Sequence, residues 1–283
     1  MARRDIEELP MCQSIVLDKS YLQATGAIPF RDMLKKRRFL MPSVLFYELM
    51  STSEPGRSRC FAKIPEMENP FDVITDIDNI LHAEIETQEP FGVLEDYSVD
   101  APYFFNPKFK EQSAYDFTDT ETRLLGEWEK YFAEQVKLLS GWMENLYVNF
   151  PKLKEGSTEQ RSLKHKEIEA KIVGDEDVIR LLYDAIWQPE KSKPPWPRAD
   201  TIDSHWALYR WVQAKLLFAL DAGVRYQGSM PKPMSTKTYT KFEHDMIDLE
   251  YLVQGVLQGS FATKEIKLKN WFLVLRPDGE VLA

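Results

Sequence analysis

Cysteine is almost missing from this chain. Only Cys12 and Cys60 occur among 283 residues, and they lack metal-ligand spacing. A disulfide framework and a cysteine-held zinc site are therefore excluded, and a reducing compartment is expected. The four histidines, His82, His165, His205 and His244, are scattered and also lack ligand spacing. Glycine is sparse, at 12 residues, and forms no phosphate-cradling loop and no Gly-x-Ser-x-Gly elbow. Nucleotide-binding P-loop proteins and α/β-hydrolases thereby lose their signatures. No run of 18 apolar residues occurs, and the basic start Met1-Ala2-Arg3-Arg4 runs into Ile6-Glu7-Glu8 rather than an apolar signal core. These absences predict a soluble, cytoplasmic protein without membrane partners. Positive charge is short as well: 36 Lys and Arg stand against 45 Asp and Glu, a net charge of −9. Bulk charge thus argues against a protein that coats nucleic acid indiscriminately, and leaves room only for a local basic patch.

What is present is an ordinary globular balance, 43% hydrophobic and 29% charged, in a chain long enough for a substantial core. Ser14-Ile15-Val16-Leu17 is a short apolar run of the kind buried in a parallel sheet, and it ends at Asp18. Phe30 to Leu34 reads as helix and leads to the basic run Lys35-Lys36-Arg37-Arg38. Phe39-Leu40-Met41 reads as a second strand, and Pro42-Ser43 opens a helix carrying Glu48. Strand, crossover, strand, helix is the opening of an α/β fold. Prolines punctuate residues 54 to 115, with a possible strand at 71–75. Apolar residues at helical spacing predict a long amphipathic helix from Arg123 to Val148 and further helices over 164–173 and 178–187. A proline-rich connection spans 189–197. Asp203-Ser204-His205 is expected to cap an apolar helix, Trp206 to Ala222. After His244 comes a helix with Asp245 and Asp248 in its first turn, then a strand at Ser260–Ala262 and an acid at Glu265. Lys269 to Leu275 is read as a helix end and the last strand.

Each acid has an ordinary reading and a chemical one. Asp245 and Asp248, at i and i+3, project from one side of a helix, where acids in a first turn also complement the helix dipole. Asp18 directly follows a strand of buried type, where a carboxylate either caps the next helix or lies in the crevice at the strand ends. Glu48 sits among Tyr47, Leu49 and Met50, so it is either solvent-facing or held by a partner.

Four stretches together resemble the PIN-domain family of metal-dependent ribonucleases: Ser-Ile-Val-Leu-Asp-Lys-Ser-Tyr-Leu at 14–22, Met-Pro-Ser-Val-Leu-Phe-Tyr-Glu-Leu at 41–49, Asp-Met-Ile-Asp-Leu-Glu-Tyr-Leu at 245–252 and Ala-Thr-Lys-Glu at 262–265. The resemblance covers roughly the first 55 and last 45 residues. It implies an α/β fold of three layers with a central, mainly parallel sheet. A nuclease core at 10–60 and 203–283 would then carry a large, mostly helical insertion at 61–202. It implies Mg²⁺ or Mn²⁺ held by Asp18, Glu48 and Asp248, with Asp245 and Glu265 as further catalytic acids, and hydrolysis of RNA. Two departures stand out. Glu265 takes the place of the usual Asp, and the second and third acids are far apart in sequence. A non-catalytic PIN-like module that binds RNA or a protein partner is the alternative, and an unrelated helical interaction protein is a third. Homodimerisation is also open. Candidate substrate contacts are Lys35, Lys36, Arg37, Arg38, Thr263 and Lys264, with Ser20 as a second possible orienting hydroxyl near the first acid, and further cations at Lys237, Lys241, Lys267 and Lys269. Tyr21, Tyr47 and Trp271 are candidates for stacking on bases or, as ordinary aromatics, for the core.

Overall fold

A computed structural model describes residues 14–112, 115–187, 191 and 194–283. Cys12, the basic N-terminal start, core residues 10–13 and residues 189, 190, 192 and 193 of the proline-rich connection lie outside the described residues. The sheet strands are β1 (Ile15–Leu17), β2 (Phe39–Pro42), β3 (Asp72–Ile74), β4 (Ser260–Ala262) and β5 (Glu280–Leu282). The helices in chain order are α1 (Lys19–Ala24), α2 (Ala27–Leu34), α3 (Ser43–Met50), α4 (Gly56–Phe61), α5 (Ile77–Thr87), α6 (Asp119–Asn149), α7 (Thr158–Gly174), α8 (Glu176–Trp187), α9 (Ala207–Tyr226), α10 (Thr236–Gln258) and α11 (Ile266–Leu275).

The strands form one sheet in the order β3-β2-β1-β4-β5, and every pair is parallel. In β1, β2 and β4 every residue is buried. Successive side chains of a strand point to opposite faces, so both faces of the central strands are covered. An α/β fold with a parallel sheet is therefore present. Its order reverses at β1: β2 and β3 lie to one side, β4 and β5 to the other. Chain leaving β1 and β4 diverges at their carboxyl ends, and this is where open α/β sheets form their crevice.

Several expectations need correction. The possible strand at 71–75 is present as β3, which pairs with β2 at Leu40↔Asp72, Met41↔Val73 and Pro42↔Ile74, so one strand of the sheet falls within the segment expected as a helical insertion. The α10 helix starts at Ser235, whose side chain accepts from Thr238 N, so Asp245 and Asp248 lie in mid-helix, beyond the reach of the N-terminal dipole. Residues 269–275 are helical: Leu268, Trp271, Phe272 and Leu275 bury one face of α11 at i, i+3, i+4, i+7. The last strand is β5, after the turn at Pro277-Asp278-Gly279. The helix α7 begins at Thr158, earlier than expected, because Ser157 and Gln160 close a capping box.

The expected cap of α9 by Asp203, Ser204 or His205 does not form. Its cap comes from a distant element. Glu84 of α5 is fully buried, and its carboxylate accepts from Ala207 N at 2.6 Å, Leu208 N at 2.8 Å and Phe91 N at 2.9 Å. This fixes the start of α9 against α5. In turn α9 packs on α6, α7, α8 and α10, and α10 packs on β1, β4 and α11. The helical middle thus shares one buried apolar cluster with the sheet. At its far end α10 stops at Gly259, whose φ of 77° closes the helix and turns the chain into β4.

Candidate functional site at the carboxyl ends of β1 and β4

Asp18 follows β1 directly and is 3% exposed. It is the N-cap of α1, which satisfies the ordinary reading. Its remaining bonds go further. Oδ2 accepts from Ser20 Oγ at 2.5 Å and from Thr263 Oγ1 at 2.6 Å, and Oδ1 from Ser20 N at 3.0 Å. Burial pushes its pKa from 3.8 up to about 6, against the pull of the Ser20 and Thr263 hydrogen bonds, and the nearby Glu48 charge adds to the rise.

Glu48 projects from α3 toward the same place. Its Oε1 accepts from Lys19 Nζ at 2.9 Å and its Oε2 from Tyr251 OH at 2.9 Å. Tyr251 lies one turn beyond Asp248 on α10, and burial, then the charges of Glu48 and Asp18, hold its phenol protonated. Asp248 is partly buried, its side chain 18% exposed, and desolvation raises its carboxyl well above the usual range. Glu265, Asp18 and Glu48 raise it further, while Lys267, 3.9 Å away, opposes them. Asp18, Glu48 and Glu265, from three other elements, thus act on Asp248 through their charge; Asp18 is buried, Glu48 and Asp248 are partly exposed, and Glu265 is exposed. Asp245 stands one turn earlier and is neutralised: Arg225 and Lys267, the latter at 3.2 Å, both bond its carboxylate.

Of the expected substrate contacts, Thr263 is fully buried, and its hydroxyl is taken up by Asp18 and by Glu265 N at 3.0 Å. It positions the acid and does not face substrate. Lys264 is exposed, with its ammonium 5.5 Å from the centre of the Tyr21 ring. The run Lys35, Lys36, Arg37 and Arg38 precedes β2 and lies at the opposite, amino edge of the sheet. There Lys35 pairs with Asp32, Arg37 with Glu280 and Arg38 with Asp72. These side chains clamp α2, β3 and β5 and do not line the acid site. Tyr21, Tyr47 and Trp271 are all buried core aromatics. Sequence reasoning missed Lys19, Tyr251 and Arg225. Adjacency to Asp18 and the i, i+3 spacing from Asp248 were the available signals for the first two. Arg225 carried none.

The donor set fits a hard divalent cation in its chemistry. It is all oxygen, several carboxylates stand near one another in a partly buried crevice, and each raises its neighbours' affinity for positive charge. Its geometry is open. Among the described residues no three Asp, Glu, His or Cys side chains stand as a ready-made metal cage, and Glu48 is engaged by Lys19. No helix among the described residues is long and apolar enough to cross a membrane. No family model, curated protein or solved structure matches the chain.

Proposed function

We propose that this chain is a PIN-like metal-dependent nuclease that hydrolyses RNA phosphodiesters. The observation that carries the reading is the partly buried Asp248 carboxyl at the carboxyl ends of β1 and β4, raised by desolvation first and then by the charges of Glu265, Asp18 and Glu48. Asp18, Glu48 and Asp248 would hold Mg²⁺ or Mn²⁺, and such an ion supplies charge neutralisation for the phosphate and an activated water. The chain's own residues prepare that site. Ser20 and Thr263 fix the orientation of Asp18, Tyr251 fixes Glu48, and Lys267 lies between Asp245 and Asp248 as a counter-charge. Glu265, one methylene longer than the family's usual acid, reaches Asp248 electrostatically from the start of α11. The test is cleavage of single-stranded and structured RNA with Mg²⁺, Mn²⁺ or chelator. Metal-dependent cleavage lost in Asp18→Asn and Asp248→Asn is expected. RNA equally intact with wild type and both variants under every condition would refute the reading.

One observation favours a second reading, a non-catalytic module of the same kind. Lys19 already neutralises Glu48, and Arg225 with Lys267 neutralises Asp245. A site whose charge is balanced internally needs no ion. Calorimetry with Mn²⁺ separates the two: binding lost in Glu48→Gln supports the nuclease, and no heat in the wild type supports the module.

A further inference from the structure

A trough runs beside the acid site along the outer helices. Its first section, a cavity of about 300 Å³, is lined by Asp221, Lys267 and Trp271, among others. Its second, of about 480 Å³, is lined by Lys154, Arg161 and Lys166 with the Tyr147 ring. His165, Glu169 and Val224 line both, so the two sections join. The floor is two helix stripes. On α9, Asp221 and Val224 lie three residues apart, with Gln227 just past the helix end, and on α7, Arg161, His165 and Glu169 recur every four. From Asp221 to Val224 the α9 stripe rises about 4.5 Å at about 1.5 Å per residue. Its Asp221 end meets Lys267, whose ammonium lies 3.8 Å from Asp221 and 3.9 Å from Asp248. One end of the trough is therefore bounded by Lys267, the neighbour of Asp248, and the other by three cations.

Those cations stand out in a chain of net charge −9. Among the described residues none of the three is paired with an acid. Arg161 is braced by Gly156 O at 2.8 Å and Thr158 Oγ1 at 3.3 Å, and Lys154 sits 5.8 Å from the centre of the Tyr147 ring. The acid nearby, Glu169, accepts from Trp271 Nε1 at 3.1 Å. At the junction, His165 Nε2 bonds the Tyr147 hydroxyl at 3.0 Å, and its buried Nδ1 has no partner. With the phenol donating to Nε2, Nδ1 carries a hydrogen that lacks an acceptor. The cations and two helix-surface hydroxyls (Thr158 and Ser162) that line the pocket ask for an anion with several oxygens.

We infer that the Lys154–Arg161–Lys166 pocket is a phosphate-binding subsite for a single-stranded polynucleotide whose neighbouring phosphodiester lies at Asp18, Glu48 and Asp248. The inference rests on the nuclease reading for the identity of the strand and assigns the helical middle its role: α7 and the turn before it hold the strand while the sheet edge holds the acids. Tyr147 forms the wall of the pocket, and Lys267 forms the passage between subsite and acids.

The test uses the full chain, fluorescein-labelled oligouridylate and chelator, with anisotropy followed across a KCl series. The proteins are wild type, Lys154→Ala/Arg161→Ala/Lys166→Ala, the single charge reversal Lys166→Glu, and Asp248→Asn. Lys166 is exposed, so the single variant guards against misfolding of the triple one. Loss of three phosphate contacts from a single strand lowers the slope of log affinity against log salt by about 2. The triple variant is expected to show that loss and Lys166→Glu to bind at least about tenfold more weakly, while Asp248→Asn serves as the control for cleavage. Unchanged affinity and slope in the triple variant, with Asp248-dependent cleavage in the wild type, overturns the subsite and spares the nuclease. Binding that depends on the three cations, without cleavage by the wild type, spares the subsite and overturns the nuclease. Uridine monophosphate displacing the oligomer as effectively as an equal concentration of unlabelled oligomer assigns the pocket to a mononucleotide and overturns the strand.

Discussion

Thr263 Oγ1 donates to Asp18 Oδ2 at 2.6 Å, joining residues 245 positions apart at the carboxyl ends of β1 and β4. The bond is buried, and Ser20 Oγ adds a second hydroxyl to the same oxygen at 2.5 Å. Both β1 and β4 are only three residues long, so this short hydroxyl network holds the crevice where the order of the sheet reverses.

The network does not cancel the cost of burying Asp18. Its pKa is raised from 3.8 to about 6, chiefly by burial. A carboxyl raised on folding contributes stability that is fully present below its unfolded pKa and is lost as pH rises through the folded one. The window therefore runs from about pH 4 to about pH 6, and the loss is about 3 kcal/mol. Urea unfolding in chelator at pH 4.5 and pH 7.5 is expected to show about 2 kcal/mol of it, since part is already lost at pH 4.5. Asp18→Asn should flatten the profile and be the more stable protein at pH 7.5. A wild type that gains stability over this window through Asp18 would contradict the assignment. Asp248, raised in the same direction, adds to the slope in wild type and variant alike.

A cation bound by these acids reverses that deficit. At pH 7.5, Mn²⁺ at about 100 times its dissociation constant should stabilise the wild type by about 2.7 kcal/mol, since it binds the folded state alone. Asp248→Asn should lose the gain. The measurement is the urea midpoint with and without Mn²⁺, and an unmoved midpoint in the wild type removes the metal from the proposal.

Glu84→Ala is expected to be among the most disruptive single changes in the helical part. It leaves the N–H groups of Ala207, Leu208 and Phe91 without an acceptor and opens a cavity where the carboxylate was fully buried. Unsatisfied buried donors cost about 1–3 kcal/mol each, partly relieved by water, so a loss of about 3–4 kcal/mol is expected. Glu84→Gln, which keeps one acceptor oxygen, should lose about half as much. Denaturant midpoints of the two variants check the ranking.

The parts of this arrangement that were legible in sequence are those set by local pattern. β1 announced itself as three apolar residues ending at an acid, and Glu48 and Asp248 as acids set in apolar helices. Long helices such as α6 followed from periodicity. The start of α10 was hidden because Thr236-Lys237-Thr238-Tyr239-Thr240 is polar and β-branched, a poor helix signal that tertiary packing overrides. The apolar run Trp271–Leu275 resembled a strand because a short apolar run has no distinctive period. Contacts across the chain left no local trace: Glu84 capping α9 and Arg225 neutralising Asp245, while Lys19 was marked only by its place beside Asp18. The basic run at 35–38 was visible, but its place at the amino edge follows only from the parallel register of β1 and β2.

Lys19→Met separates the two readings of the acid site. The Lys19 ammonium is 2.9 Å from Glu48 Oε1, and the two side chains are 12% and 13% exposed. At about 4 Å, opposite charges attract by about 1 kcal/mol in water and about 4 kcal/mol near a protein surface. Methionine keeps the volume of the lysine stem and removes the charge. In chelator, Glu48 then stays buried beside Asp18 and Asp248 with Tyr251 as its remaining donor, and the fold should lose about 2–4 kcal/mol. In Mn²⁺ the same change removes a competitor for Glu48, so affinity should tighten by at least about tenfold, equal to about 1.4 kcal/mol. Stability in chelator and Mn²⁺ affinity thus move in opposite directions in one variant. Loss of stability without tighter Mn²⁺ binding means Lys19 is the permanent partner of Glu48, and the non-catalytic module is then the correct reading.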